Sequence, residues 1–118
     1  MKRRNFKGKC EKRKLSKCKE VCRTYNPIQY AYADVLERRK DVVEIRCNVP
    51  VLLEGLEDEY TTDFLCILKD GSMMVRETVY RRQLSKPLTM KLLDMSQEYW
   101  SRRRASWGIV IDEIIEEG

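Results

Sequence analysis

The stretch TTDFLCILKDGSMMVRETVYRRQ, residues 61–83, decides how this chain folds. TTDFLCIL is rich in β-formers, and so is SMMVRETVY. Asp70-Gly71 between them is a strong hairpin turn, because glycine accepts a positive φ that other residues resist. The stretch therefore predicts two antiparallel strands. Alternate residues of a strand share a face, so Glu77, Val79 and Arg81 are expected to point the same way, with Asp63 near the start of the other strand.

Working outward, NPIQYAYADVLERRKD predicts a helix. Asn26 is a good N-cap, Pro27 suits the first turn, and Ile28, Ala31, Tyr32, Val35 and Leu36 form one stripe. VVEIRCNVPVLLEG reads as a strand bent near Asn48. SKPLTMKLLDMSQEYWSRRR predicts a second helix from about Ser85–Pro87, with Leu88, Leu92, Met95 and Tyr99 at helical spacing and Trp100 alongside. SWGIVIDEII reads as a last strand, buried through Trp107, Ile109 and Ile111 or through the opposite set. The acidic tail is expected to fray. The order is helix, three strands, helix, strand, an α/β (α+β) arrangement with a mixed sheet flanked by helices.

The chain has 118 residues, enough for one modest core. It divides into a basic, cysteine-containing segment, 1–24, and an α/β domain, 25–118. The first segment carries eleven Lys or Arg against two Glu, whereas the remainder is net −4. A basic arm can neutralise phosphates, or simply be solvated. There is no apolar run long enough to cross a membrane and no secretory signal pattern, so a cytoplasmic protein with reduced thiols is expected. The absence of histidine excludes histidine-based nucleophile pairs and pH switches.

Five cysteines are an odd number, which argues against a closed disulfide framework. Cys10, Cys18 and Cys22 lie among lysines and glutamates, where little can bury them, and Cys47 follows in the first long strand. The expectation is a structural zinc held by Cys10, Cys18, Cys22 and Cys47, stapling the basic segment to the sheet. The plainer alternative is ordinary reduced thiols. Cys66, between Leu65 and Ile67, is expected in the core. For phosphate or partner contact the candidates are Arg76, Arg81 and Arg82 around the hairpin, with Lys12, Arg13 and Lys14 of the arm.

The order of elements, together with YTTDF, the glycine-turned hairpin, KLLDMSQEYW and WGIVID, resembles the N-terminal catalytic domain of TnsA-type transposon endonucleases, in the PD-(D/E)XK nuclease superfamily. The resemblance covers roughly residues 25–115 and implies a restriction-endonuclease-like αβββαβ fold. It places Asp63 at the family's central aspartate and Glu77 at the start of its E-x-K-type motif. Val79 stands where the family has lysine. Gln29 or Pro27 stands where it has a helix glutamate, and Lys86 or Lys91 could serve as a relocated lysine. Carboxylates in such a site hold Mg²⁺, which activates water and stabilises phosphate charge. With two of four groups altered, the resemblance implies a remnant site at Asp63, Glu77 and Gln29. The expected function is binding, by a degenerate nuclease-fold protein of phage or mobile-element type. Its partners would be non-specific nucleic acid or a host nuclease, transposition or defence protein, as in an anti-CRISPR-like inhibitor. The alternative is an active TnsA-like, Mg²⁺-dependent DNA endonuclease.

Overall fold

The computed structural model describes residues 10–57, 59–112 and the backbone of 116–117. Helix α1 spans Pro27–Arg38 and helix α2 spans Pro87–Arg102. Strands β1 (Glu11–Arg13) and β2 (Cys22–Thr24) form an antiparallel ribbon. Strands β3 (Val42–Val51), β4 (Tyr60–Leu68), β5 (Met73–Thr78), β6 (Ser106–Val110) and β7 (Glu116–Glu117) make one sheet in that order. All its neighbours are antiparallel except β5 and β6, which the α2 crossover leaves parallel.

Local chemistry explains the boundaries. Asn26 Oδ1 accepts the Gln29 N–H at 2.9 Å and Pro27 occupies the first turn, so α1 starts as its sequence predicts. In the hairpin, Gly71 sits at φ +86°. Asp70 Oδ1 accepts the Ser72 N–H at 2.9 Å and its hydroxyl at 2.5 Å. These short-range bonds fix the turn, and the turn fixes the β4–β5 register.

Strand alternation sorts the core into two layers. Ile45, Phe64, Cys66 and Met74 pack with Ile28, Tyr32 and Leu36 of α1. Leu65 and Val75 pack with Leu92 and Trp100 of α2. The sheet is thus covered on both faces, with one helix to each.

Several expectations change. The α1 stripe buries Ala33 and Gln29 rather than Ala31, Val35 packs partly buried against the same cluster, and Leu88 of α2 is exposed. Around β6 both sets contribute: Gly108 and Val110 are buried, Trp107 and Ile109 pack partly buried against the core, and Ile111 is buried after the strand end. Strand β5 stops at Thr78, and Arg81 opens a 3-10 turn, Arg81–Gln83, whose first N–H donates to Asp112 Oδ1 at 2.9 Å. Arg81 therefore does not share a strand face with Glu77. The tail does not simply fray: Glu116 and Glu117 pair with Val110 and Ile109.

The largest addition is the ribbon. Arg13 Nη1 meets Asp34 Oδ1 at 2.6 Å, its Nη2 donates to Tyr30 O at 2.9 Å, and the guanidinium lies 3.9 Å from the Tyr30 ring centroid. Lys17 Nζ donates to the α1 C-terminal carbonyls of Leu36 and Arg39 at 3.4 and 2.5 Å, where a cation suits the helix dipole. The Ser16 hydroxyl donates to Glu37. Ile45 N–H donates to Lys17 O at 2.8 Å, tying the β1–β2 loop to β3. Residues 10–24 are thus strapped along α1, with Cys22 in the same core cluster as the helix.

Candidate functional site

Gln29, Asp63 and Glu77 come together from α1, β4 and β5. The main β4–β5 register ends at Phe64–Arg76, one step short of Asp63 and Glu77. On the other side, Cys47–Phe64 and Val49–Thr62 flank Asn48, whose φ is +53°. Asparagine tolerates that left-handed conformation better than most residues. The sheet therefore loosens around Asp63, and side chains fill the gap.

Asp63 is 0% exposed, Glu77 0% and Gln29 1%. Asp63 Oδ2 accepts the Thr78 N–H at 2.6 Å and the Thr78 hydroxyl at 2.7 Å. Asp63 Oδ1 accepts from Gln29 Nε2 at 3.0 Å. Glu77 Oε1 accepts the Asp63 N–H at 2.9 Å, and Oε2 accepts the Ser96 hydroxyl at 2.7 Å. Gln29 is itself held: its Oε1 accepts the Tyr25 N–H at 2.8 Å and its Nε2 also reaches Asn48 Oδ1 at 3.2 Å. Trp107 Nε1 donates to Ser96 Oγ at 3.0 Å, which extends the chain of bonds to β6. All four carboxylate oxygens accept hydrogen bonds from the protein, the arrangement that makes a buried charge tolerable.

The position the resemblance assigns to lysine is apolar in its surroundings as well as in its side chain. Val79 packs with Leu93 and Ile111. Lys86 and Lys91 are both exposed, away from the buried network. Thr78, Ser96 and Asn48 complete the network and were not singled out by sequence. A serine on the inner stripe of α2, between Leu92 and Trp100, was the available signal, because a buried hydroxyl needs partners.

The second constellation is sulfur. The Sγ atoms of Cys18, Cys22 and Cys47 all lie within 4.8 Å of one another, with Cys22–Cys47 at 3.1 Å. Ligands at a zinc–sulfur distance of about 2.3 Å in tetrahedral geometry lie about 3.8 Å apart, inside that spread. The donor set fits a metal ion. Hydrogen bonding with Cys18, then Cys47, pulls the Cys22 thiol down to about 4. The same bond with Cys22 pushes Cys18 up to about 12, and bonds with Cys18 and Cys22 raise Cys47. Within the cluster, hydrogen bonding favours the thiolate at Cys22 and the thiol at Cys18 and Cys47. A metal binding all three as thiolates displaces the protons of Cys18 and Cys47, so affinity rises with pH through the neutral range.

Cys10 is not in this group. Arg13 pairs with Cys22 and Glu11 with Thr24, so Cys10 falls opposite Tyr25 at the far end of the ribbon. Three residues of strand separate it from Arg13, about 10 Å. Cys66 is fully buried among Ile45, Phe64 and Met74, and burial pushes its thiol up to about 12.

The candidate cations divide in two. Arg13 is spent on Asp34 and Tyr30. Arg76 Nη1 donates to Val75 O at 2.8 Å and Ser106 O at 3.3 Å, and burial lowers its pKa. Lys12, Lys14, Arg81 and Arg82 are exposed, with Arg82 4.6 Å from the Tyr80 ring centroid. Among the described residues, no helix is long and apolar enough to cross a membrane. Compared with known proteins, the chain matches no family model and no curated protein.

Proposed function

We propose that this chain is a binding protein on a restriction-endonuclease-like frame that has lost DNA cleavage, of phage or mobile-element type. The observation that carries the reading is the state of the carboxylates. Asp63 and Glu77 are wholly buried and committed to protein donors, and Val79 places an apolar cluster where a water-activating lysine would stand. Catalysis by two carboxylates needs oxygens free to hold Mg²⁺ and room for water and phosphate. Here the same groups join α1, β4, β5 and α2 as a structural lock.

The cysteine cluster holds zinc in this reading, because an all-sulfur donor set selects a soft or borderline ion over Mg²⁺. The zinc fixes the strap formed by residues 10–24 to β3. The exposed cations suit phosphate, so the partner is nucleic acid, alone or as carried by a host nuclease. Binding is through backbone charge and is non-specific in sequence. In a gel shift with duplex DNA, R81A/R82A is expected to weaken binding several-fold and to lower the salt slope by about 2, one phosphate contact per arginine. An unchanged slope would remove these arginines from the interface. Binding by the wild type to a nuclease without any DNA affinity would make the partner a protein.

A second reading has one observation in its favour. Gln29, Asp63 and Glu77 are 34 and 14 residues apart in sequence and still converge, as an active Mg²⁺-dependent endonuclease would require.

A further inference from the structure

Among the described residues, the triad gathers three protein ligands and no fourth. Thiolate-rich structural zinc sites are four-coordinate, completed by cysteine or histidine. The sequence contains no histidine and five cysteines in total. Of the two cysteines outside the triad, Cys10 lies at the distal end of the β1–β2 ribbon, and Cys66 is locked inside the α1-side core. Among the described residues, no Asp or Glu oxygen joins the group either.

The surroundings of the triad are asymmetric. Cys22 is fully buried. Cys18 and Cys47 are partly exposed and line a groove of about 580 Å³ that also takes in Lys19, Tyr25, Arg46 and Asn48. The groove runs beside β3, the edge strand of the sheet. A cavity of this size admits a cysteine side chain with its backbone. Three thiolates around a divalent ion carry one net negative charge. Lys19, Arg23 and Arg46 stand at the groove beside Glu20 and Glu44, with Lys19 and Arg46 paired to Glu44, so the rim is of mixed charge and a further donor is drawn by the metal itself.

We propose that the metal bound by Cys18, Cys22 and Cys47 keeps its fourth position open to this groove and fills it with a thiolate from outside the chain. The inference rests on the metal reading given above and adds the ligand class. As the fourth metal–sulfur bond forms, the incoming thiol releases its proton to solvent and the water it replaces leaves. The oxidation state of metal and sulfur is unchanged. The thiol is a small molecule or a cysteine of a bound protein.

The test uses the full chain loaded with Co²⁺ in place of zinc, followed by its sulfur-to-cobalt charge-transfer absorption. Three-thiolate intensity is expected without added thiol, the same in Cys10→Ser as in the wild type. Titration with a monothiol should raise it saturably by about a third, one thiolate joining three. Glutathione saturating at lower concentration than N-acetylcysteine amide would point to a small thiol. The reverse order, or equality, would point to a cysteine presented by a protein. A four-thiolate spectrum in the unsupplemented wild type that falls in Cys10→Ser would overturn the proposal while leaving the metal site intact. Three-thiolate intensity with no response to thiol would also overturn it. Failure to bind Co²⁺ or Zn²⁺ at all would remove the metal reading and the proposal together.

Discussion

Asp63→Ala is expected to lower the unfolding free energy by about 3–5 kcal/mol, read from urea denaturation midpoints at constant slope. The substitution removes the acceptor for the Thr78 N–H, the Thr78 hydroxyl and the Gln29 amide at one stroke. Each buried donor left behind costs about 1–3 kcal/mol. For a domain of this size that is a large part of a total of about 5–15 kcal/mol. The sign carries the meaning. A carboxylate kept for catalysis is held in an unfavourable setting, and its removal commonly stabilises a fold. A carboxylate kept for structure does the opposite. A neutral or stabilising outcome would mean that Asp63 is poised for a ligand rather than for Thr78 and Gln29.

Removing the metal is expected to have an effect of similar size. With free zinc at about a thousand times its dissociation constant, the folded state gains about 4 kcal/mol, and a strong chelator should withdraw it. Cys22→Ser should behave as chelated wild type and gain nothing from added zinc. The change should begin at the ribbon, because Cys22 and Cys47 join β2 to β3. Brief trypsin treatment of chelated protein should therefore cut first at Lys12, Lys14, Lys17 or Lys19, before any site in α2. Equal stability and an equal cleavage pattern with and without zinc would show that the cysteines are reduced thiols in a strap held by Arg13, Ser16, Lys17 and core packing alone.

The parts of the fold with short-range chemical causes were legible in the sequence. Asn26 and Pro27 start α1 as an N-cap and first-turn pair, and Asp70-Gly71 makes the hairpin. The convergence of Asp63, Glu77 and Gln29 followed from resemblance rather than from spacing, since it depends on how three elements stack. The ribbon was illegible for a physical reason. Glu11–Arg13 and Cys22–Thr24 are three residues each and largely charged, so they show no apolar alternation. Their stability comes from long-range bonds to Asp34, Glu37 and the end of α1. The β1–β2 register that sets Cys22 opposite Arg13 carries Cys10 away from the cluster, and that distance cannot be read from cysteine spacing. Leu88 fits the helical stripe by counting, but the inner face of α2 is centred on Leu92, Leu93, Ser96 and Trp100. Arg81 fits strand alternation, but β5 ends three residues earlier.

The most direct measurement is plasmid nicking by the full chain in Mg²⁺ and in Mn²⁺, beside Asp63→Asn at equal purity. The near-isosteric amide keeps an acceptor toward Thr78 while withdrawing the charge a metal needs. A frame that has lost cleavage gives no nicking above the mutant's background with either ion. Nicking by the wild type that Asp63→Asn abolishes would contradict the account and return Asp63, Glu77 and Gln29 to catalysis.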